Sequence, residues 1–300
     1  MTSDRPGELR EAWRTGRVFG PPIRRIFRDV VADRLPDPHR LPQAEMLFAP
    51  MADPYWEDDL RFVGDFHSEI LHQDTCQAGT AEGLVLLAVL ATDDRVPARE
   101  RFGAVRTLFR AATVSERRLA GRGPATPPHA DPDSEVRARA TVESRTPELL
   151  ARWRTECPAV RLALAGLAVV FPTERTLPAL APRLRAFTAG HPPGTDIGDY
   201  VRFVQVLAAR NEVETLTAVE GYTDVHWTGT PRRAPTRARA FHLLAQMLDG
   251  VGADLGRFPS VGTTADLCSG AREPTSAGRT PAGRSLPAAS PRSPSAPDPR

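Results

Sequence analysis

Apolar residues recur at helical spacing along most of this chain. Phe102, Val105, Leu108, Phe109 and Ala112 fall on one stripe, with polar residues between them. Leu60, Val63, Phe66 and Ile70 form a stripe upstream. Leu177, Leu180, Leu184 and Phe187 form another, entered at Thr176 just before Pro178, where proline suits a first helical turn. Ile197, Val201, Val204 and Leu207 follow, then Ala238, Phe241, Leu244 and Leu248. No run alternates strictly every second residue, so strands are not expected. The pattern predicts an all-α protein, with about ten to twelve helices of roughly 10–16 residues over residues 7 to 249.

Interruptions divide the pattern. Gly121 to Asp133 (GRGPATPPHADPD) and Gly190 to Thr195 (GHPPGT) read as connectors between helices. Gly250, Gly252 and Gly256 (GVGADLG) have the wrong spacing and setting for a dinucleotide loop and read as a helix terminator. Residues 269–300 hold seven prolines, with Leu286 as their only large apolar residue, and are expected to be disordered. The resulting division is an N-terminal helical segment 1–55, a helical repeat domain 56–250, and a linker with a Pro/Arg/Ser-rich tail 251–300.

Within the helical part, similar units recur. Cys157 to Phe187 reads as a helix opening at Pro158, a turn at Phe171-Pro172-Thr173 and a second helix. Val136 to Glu156 has the same order, a small-residue helix, then Pro147, then a Leu-rich helix. Gln77 to Ala112 supplies an earlier pair. A recurrence of this size is the signature of stacked repeats. Val160-Arg161-Leu162-Ala163-Leu164-Ala165, with Leu177-Pro178-Ala179-Leu180 one helix later, resembles the HEAT-repeat pattern. Ile70-Leu71-His72-Gln73-Asp74-Thr75 resembles an "HQGT" segment of HEAT-repeat proteins common in actinobacteria. It departs from them with Asp74 where they usually carry glycine, which argues against a left-handed turn there. The resemblance spans roughly residues 55 to 250. It implies an α-solenoid of stacked antiparallel helix pairs, a concave binding face and a role in protein interaction; it supplies no catalytic residues and no cofactor.

Composition changes the picture in one respect. All 39 basic residues are arginine, set against 37 acids for a net charge of +2. The tail alone carries five arginines and two acids, so residues 1–268 are close to neutral. Nucleic acid is therefore not an expected partner, despite Arg24-Arg25, Arg117-Arg118 and Arg232-Arg233. Three scattered cysteines exclude a disulfide framework or paired-cysteine zinc module. The longest apolar runs, GLVLLAVLA and LALAGLAVVF, are too short to span a bilayer, and the start lacks a secretory signal. A cytoplasmic location and no membrane association are expected.

The candidate polar cluster is His72, Gln73, Asp74 and Thr75, a clasp closing a helix end. His67 and His72 lie five apart, about 140° around a helix, so they do not face one metal. Cys76 lacks an orienting triad and reads as a structural thiol. Trp56-Glu57-Asp58-Asp59 reads as acids favouring a helix start. Trp153 between Arg152 and Arg154 is the clearest aromatic–basic cluster and reads as a half-buried Trp between solvated arginines. A cluster of that kind is what a HEAT-like DNA glycosylase would need in its groove. The expected function is that of a non-enzymatic scaffold or adaptor; the alternative is a HEAT-like enzyme or nucleic-acid-processing cradle.

Overall fold

The computed structural model describes residues 23–35, 37, 59–123, 127, 130–173, 176–231 and 233–257. The tail and most of residues 1–55 lie outside them, as do Trp56, Glu57 and Asp58. The described residues form α helices and short 3-10 turns, with no strand among them. In chain order the helices are α1 (Ile23–Arg34), α2 (Asp59–Ile70), α3 (Thr80–Ala91), α4 (Ala98–Ala112), α5 (Val114–Gly121) and α6 (Pro132–Ala151). They continue as α7 (Pro158–Val170), α8 (Thr176–Gly190), α9 (Asp196–Ala209), α10 (Glu212–His226) and α11 (Thr236–Arg257).

Local chemistry sets several of the ends. Asp131 accepts from the Asp133 amide ahead of α6, and Thr195 accepts from Gly198 ahead of α9. Arg210 closes α9 in a left-handed conformation, and Asn211 at once caps α10 through the amides of Val213 and Glu214. Helices α3 and α7 are apolar nearly all round, and both are therefore central.

Successive pairs pack in order. Helix α3 lies against α1, α4 and α6; α4 lies against α2, α3, α6 and α7; α8 pairs with α9, which also touches α7. The connections at one end of these pairs are tied by ions. Arg34 reaches Asp93 and Glu148, Arg95 bonds Asp93 and Asp33, and Arg152 joins Asp94 to Glu156. Glu156, fully buried, also receives Arg101 at 2.9 Å, and Arg101 donates to the Val96 carbonyl. A buried carboxylate needs such partners, because one left unpaired would cost several kcal/mol.

Several expectations are corrected. Pro147 does not separate two helices; α6 runs through it for 20 residues, giving up one backbone bond within a long, well-anchored element. Gly250 and Gly252 do not stop α11, which continues to Arg257. A Cβ at Gly252 would meet Phe102 at 3.0 Å, so this glycine permits close packing and does not terminate the helix. Helices α5 and α10 were not anticipated, since α5 is short and α10 buries only Val219.

Helix α11 is the largest departure. In a stack of repeats each unit touches its neighbours only. Here α11 packs along α5 and also against α4, α7, α9 and α10. Its Phe241, Leu244, Met247, Leu248 and Val251 are buried beneath it. The face shared by α4, α7 and α9 is thus covered by the chain itself, where an open binding face was expected.

Candidate functional site

The turn between α2 and α3 carries the predicted polar cluster and divides it. His72 and Gln73 are exposed, Asp74 is half-buried and Thr75 is buried. Thr75 closes the turn: its hydroxyl donates to the His72 carbonyl at 2.8 Å and accepts from the Gln77 amide group at 3.0 Å. Thr80 completes the local clasp by donating to the Ile70 carbonyl, 2.8 Å away. Gln73 and Asp74 both hold left-handed backbone, with φ of 48° and 63°. The expectation drawn from the missing glycine is therefore wrong. The cost of a Cβ in this region is offset by what the Asp74 side chain reaches.

Asp74 takes the two Nη groups of Arg117 on α5, and Arg110 on α4 stands 3.3 Å away. Burial would raise this carboxyl, but the two guanidinium groups outweigh it and hold the acid below its ordinary value. Arg117 is itself 4% exposed and spends its remaining donors on Thr113 and the Arg110 carbonyl. Arg110 bridges onward to Asp249 on α11 at 2.6 Å, and Arg106 approaches the same acid at 3.5 Å. Arg118 grips buried Glu135, which also accepts from Ser115 at 2.6 Å.

Helix α11 adds His242, whose Nδ1 lies 3.1 Å from the Arg117 carbonyl and must donate to it. Its Nε2 then accepts from Gln246, 3.0 Å away, so the ring is the neutral tautomer. Burial lowers the His242 pKa, in keeping with that assignment. Trp227 lies against the ring at 4.4 Å, and Gln246 donates to the Thr228 hydroxyl. These groups surround a cavity of about 290 Å³, lined among others by Asp74, Arg110, Arg117, Arg122, His242 and Asp249. A second cavity of about 330 Å³ shares Arg110 and Asp249 and includes His67 and Arg106.

The remaining candidates take structural places. His67 Nδ1 pairs with the Thr107 hydroxyl at 2.8 Å, and burial with the nearby Arg106 charge pushes its pKa down to about 4. His72 points to solvent, so it does not bond a neighbouring helix as a packed histidine would. Among the described residues, no group of three or more His, Cys, Asp or Glu is placed to hold a metal ion. Cys76 is buried, and desolvation with the Glu135 charge pushes its thiol up to about 12, far from a nucleophilic thiolate. Trp153 is buried, not half-buried, beneath Arg183, while Arg152 is ion-paired with Asp94 and Glu156. No described helix is long and apolar enough to cross a membrane.

Sequence reading found Asp74 and Thr75 but missed Arg110, Asp249, His242 and Gln246. It noticed the Arg117-Arg118 pair without its acids. The available signal was a polar face at helical spacing: Arg106 and Arg110 on α4, and His242, Gln246 and Asp249 on α11. No protein-family model, curated protein or solved structure matches the chain.

Proposed function

We propose that this chain is a HEAT-like helical repeat protein that acts in the cytoplasm as a non-enzymatic scaffold or adaptor. The orderly packing of α1 to α4, α6 and α7 supports the repeat reading. The observation that carries the binding reading is α10. Four large apolar side chains are prominently exposed among the described residues, and Val213, Leu216 and Val225 are three of them, all on this helix. Helical spacing puts Val213 and Leu216 on one face with Glu220 and Asp224, Val225 lies further round the helix, and α10 contains no arginine. Burying the apolar side chains beside these acids requires a partner surface that is both apolar and basic.

The test is a crosslinking comparison in cell lysate between the wild-type chain and a Val213→Glu, Leu216→Glu, Val225→Glu variant. All three positions are solvent-facing, so the variant keeps its helical circular dichroism. Partners crosslinked to α10 in the wild type should disappear in the variant. Identical partner sets for the two proteins would end the proposal.

A further inference from the structure

The cavity joining α4, α5 and α11 carries an excess of positive charge. Arg110, Arg117, Arg118 and Arg122 line it. Asp74, Asp249 and Glu135 answer three of them. With His242 neutral, the charge of Arg122 remains without a carboxylate. Arg122 is exposed at the rim, and no hydrogen bond or ion pair engages its guanidinium among the described residues.

The other arginines are fixed in advance. Asp74 orients Arg117, Asp249 orients Arg110, and Glu135 orients Arg118. A guanidinium offers five N–H donors in a rigid fork, and the two bonds from Arg118 to Glu135 use its Nη groups. Such prior fixing removes much of the ordering cost of binding an anion. Thr228 adds a hydroxyl that accepts from Gln246 and keeps its proton for a ligand oxygen. The carboxylates, by contrast, are already engaged by arginines, so a cationic ligand finds no open acceptor among them.

We propose that this cavity binds a small phosphomonoester dianion, with Arg122 as its mobile contact and Arg118 as its fixed one. A phosphomonoester carries three acceptor oxygens on one tetrahedral group, one for each of Arg122, Arg118 and Thr228. A single carboxylate brings only two, in one plane. A volume of about 290 Å³ suits a small metabolite and not a polymer. The site is separate from the apolar surface of α10, so either proposal can fail without the other.

Isothermal titration of the full chain with glycerol phosphate, at constant ionic strength in chloride, tests the site. Saturable binding at one site per chain is expected, with malonate at least about tenfold weaker. Arg122→Glu should weaken glycerol phosphate binding by about tenfold or more, the worth of one charge-assisted bond. Because Arg122 has no partner to lose, the variant should melt at the wild-type temperature in the absence of ligand. No saturable binding, unchanged affinity in Arg122→Glu, or equal affinity for malonate would each overturn the proposal.

Discussion

Helix α7 buries eleven of its thirteen residues, whereas α10, two residues longer, buries Val219 alone. The first is a helix because its surroundings demand one. Ala163, Leu164, Gly166, Leu167 and Ala168 fill space between α4, α6 and α9, and the Tyr200 hydroxyl on α9 donates to the Leu162 carbonyl at 2.8 Å. The second is held mainly by short-range bonds. Asn211 caps it, and the hydroxyls of Thr215, Thr217 and Thr223 donate to carbonyls four residues back. It packs along α11, and its side-chain ties to the rest of the body are Val219, the Tyr222 ring 5.8 Å from Phe203, and His226 at 3.1 Å from Asp199. Two helices of similar length can thus differ almost completely in what stabilises them. The weakly tied one is the one left facing solvent with apolar side chains.

The contrast is broken most forcefully by opening a cavity in each helix. Leu164→Ala should cost about 3 kcal/mol in urea unfolding, because α7 has no room to collapse. Val219→Ala removes two methyl groups from a thinner contact and should cost about 1.5 kcal/mol. Equal costs would show α10 to be as much core as α7.

Acid tests the buried side of the comparison. His67, between α2 and α4, has its pKa lowered in the folded chain from 6.5 to about 4. Between those values the unfolded chain binds a proton that the folded chain refuses. Stability contributed by His67 is therefore full above pH 6.5 and falls as pH drops towards 4, by about 2 kcal/mol after allowing for its partial exposure. Thermal melts at pH 7 and pH 4 should show this loss, and His67→Gln should flatten it. The same loss in His67→Gln as in wild type would place the acid sensitivity elsewhere. The smallest effect belongs to the cap. Asn211→Ala should destabilise by about 1 kcal/mol, with amide exchange accelerating in α10 before α7. Uniform acceleration through both helices would erase the distinction.

The legible part of the fold was the part written in stripes. Phe102, Val105, Leu108 and Phe109 are buried as their spacing required, as are Val201, Val204, Phe241 and Leu248. On α2, Phe66 and Ile70 are buried as their spacing required and Val63 partly so, Phe62 joins them, and the Leu60 side chain lies outside what is described. Helix α10 was invisible because a helix with one anchor leaves no stripe. Pro147 and Gly252 misled because their usual effects are local, while here a long helix and a close-packed Phe102 decide the outcome. The site was legible only at Asp74 and Thr75. Its other half arrives from residues 36 to 175 positions beyond Asp74, and pairing such as Arg110 with Asp249, 139 residues apart, leaves no trace in local spacing.

The return of α11 onto α5 bears on how the chain folds in time. A stack whose units touch only neighbours can nucleate anywhere and fray one unit at a time. Here the helix that seals α4, α7 and α9 begins at Thr236, so the interior stays incomplete until most of the sequence has been made. Contacts of that separation raise the contact order and slow folding, because long loops must close before their burial is rewarded. They also couple early and late helices, so the described body should open as one cooperative unit.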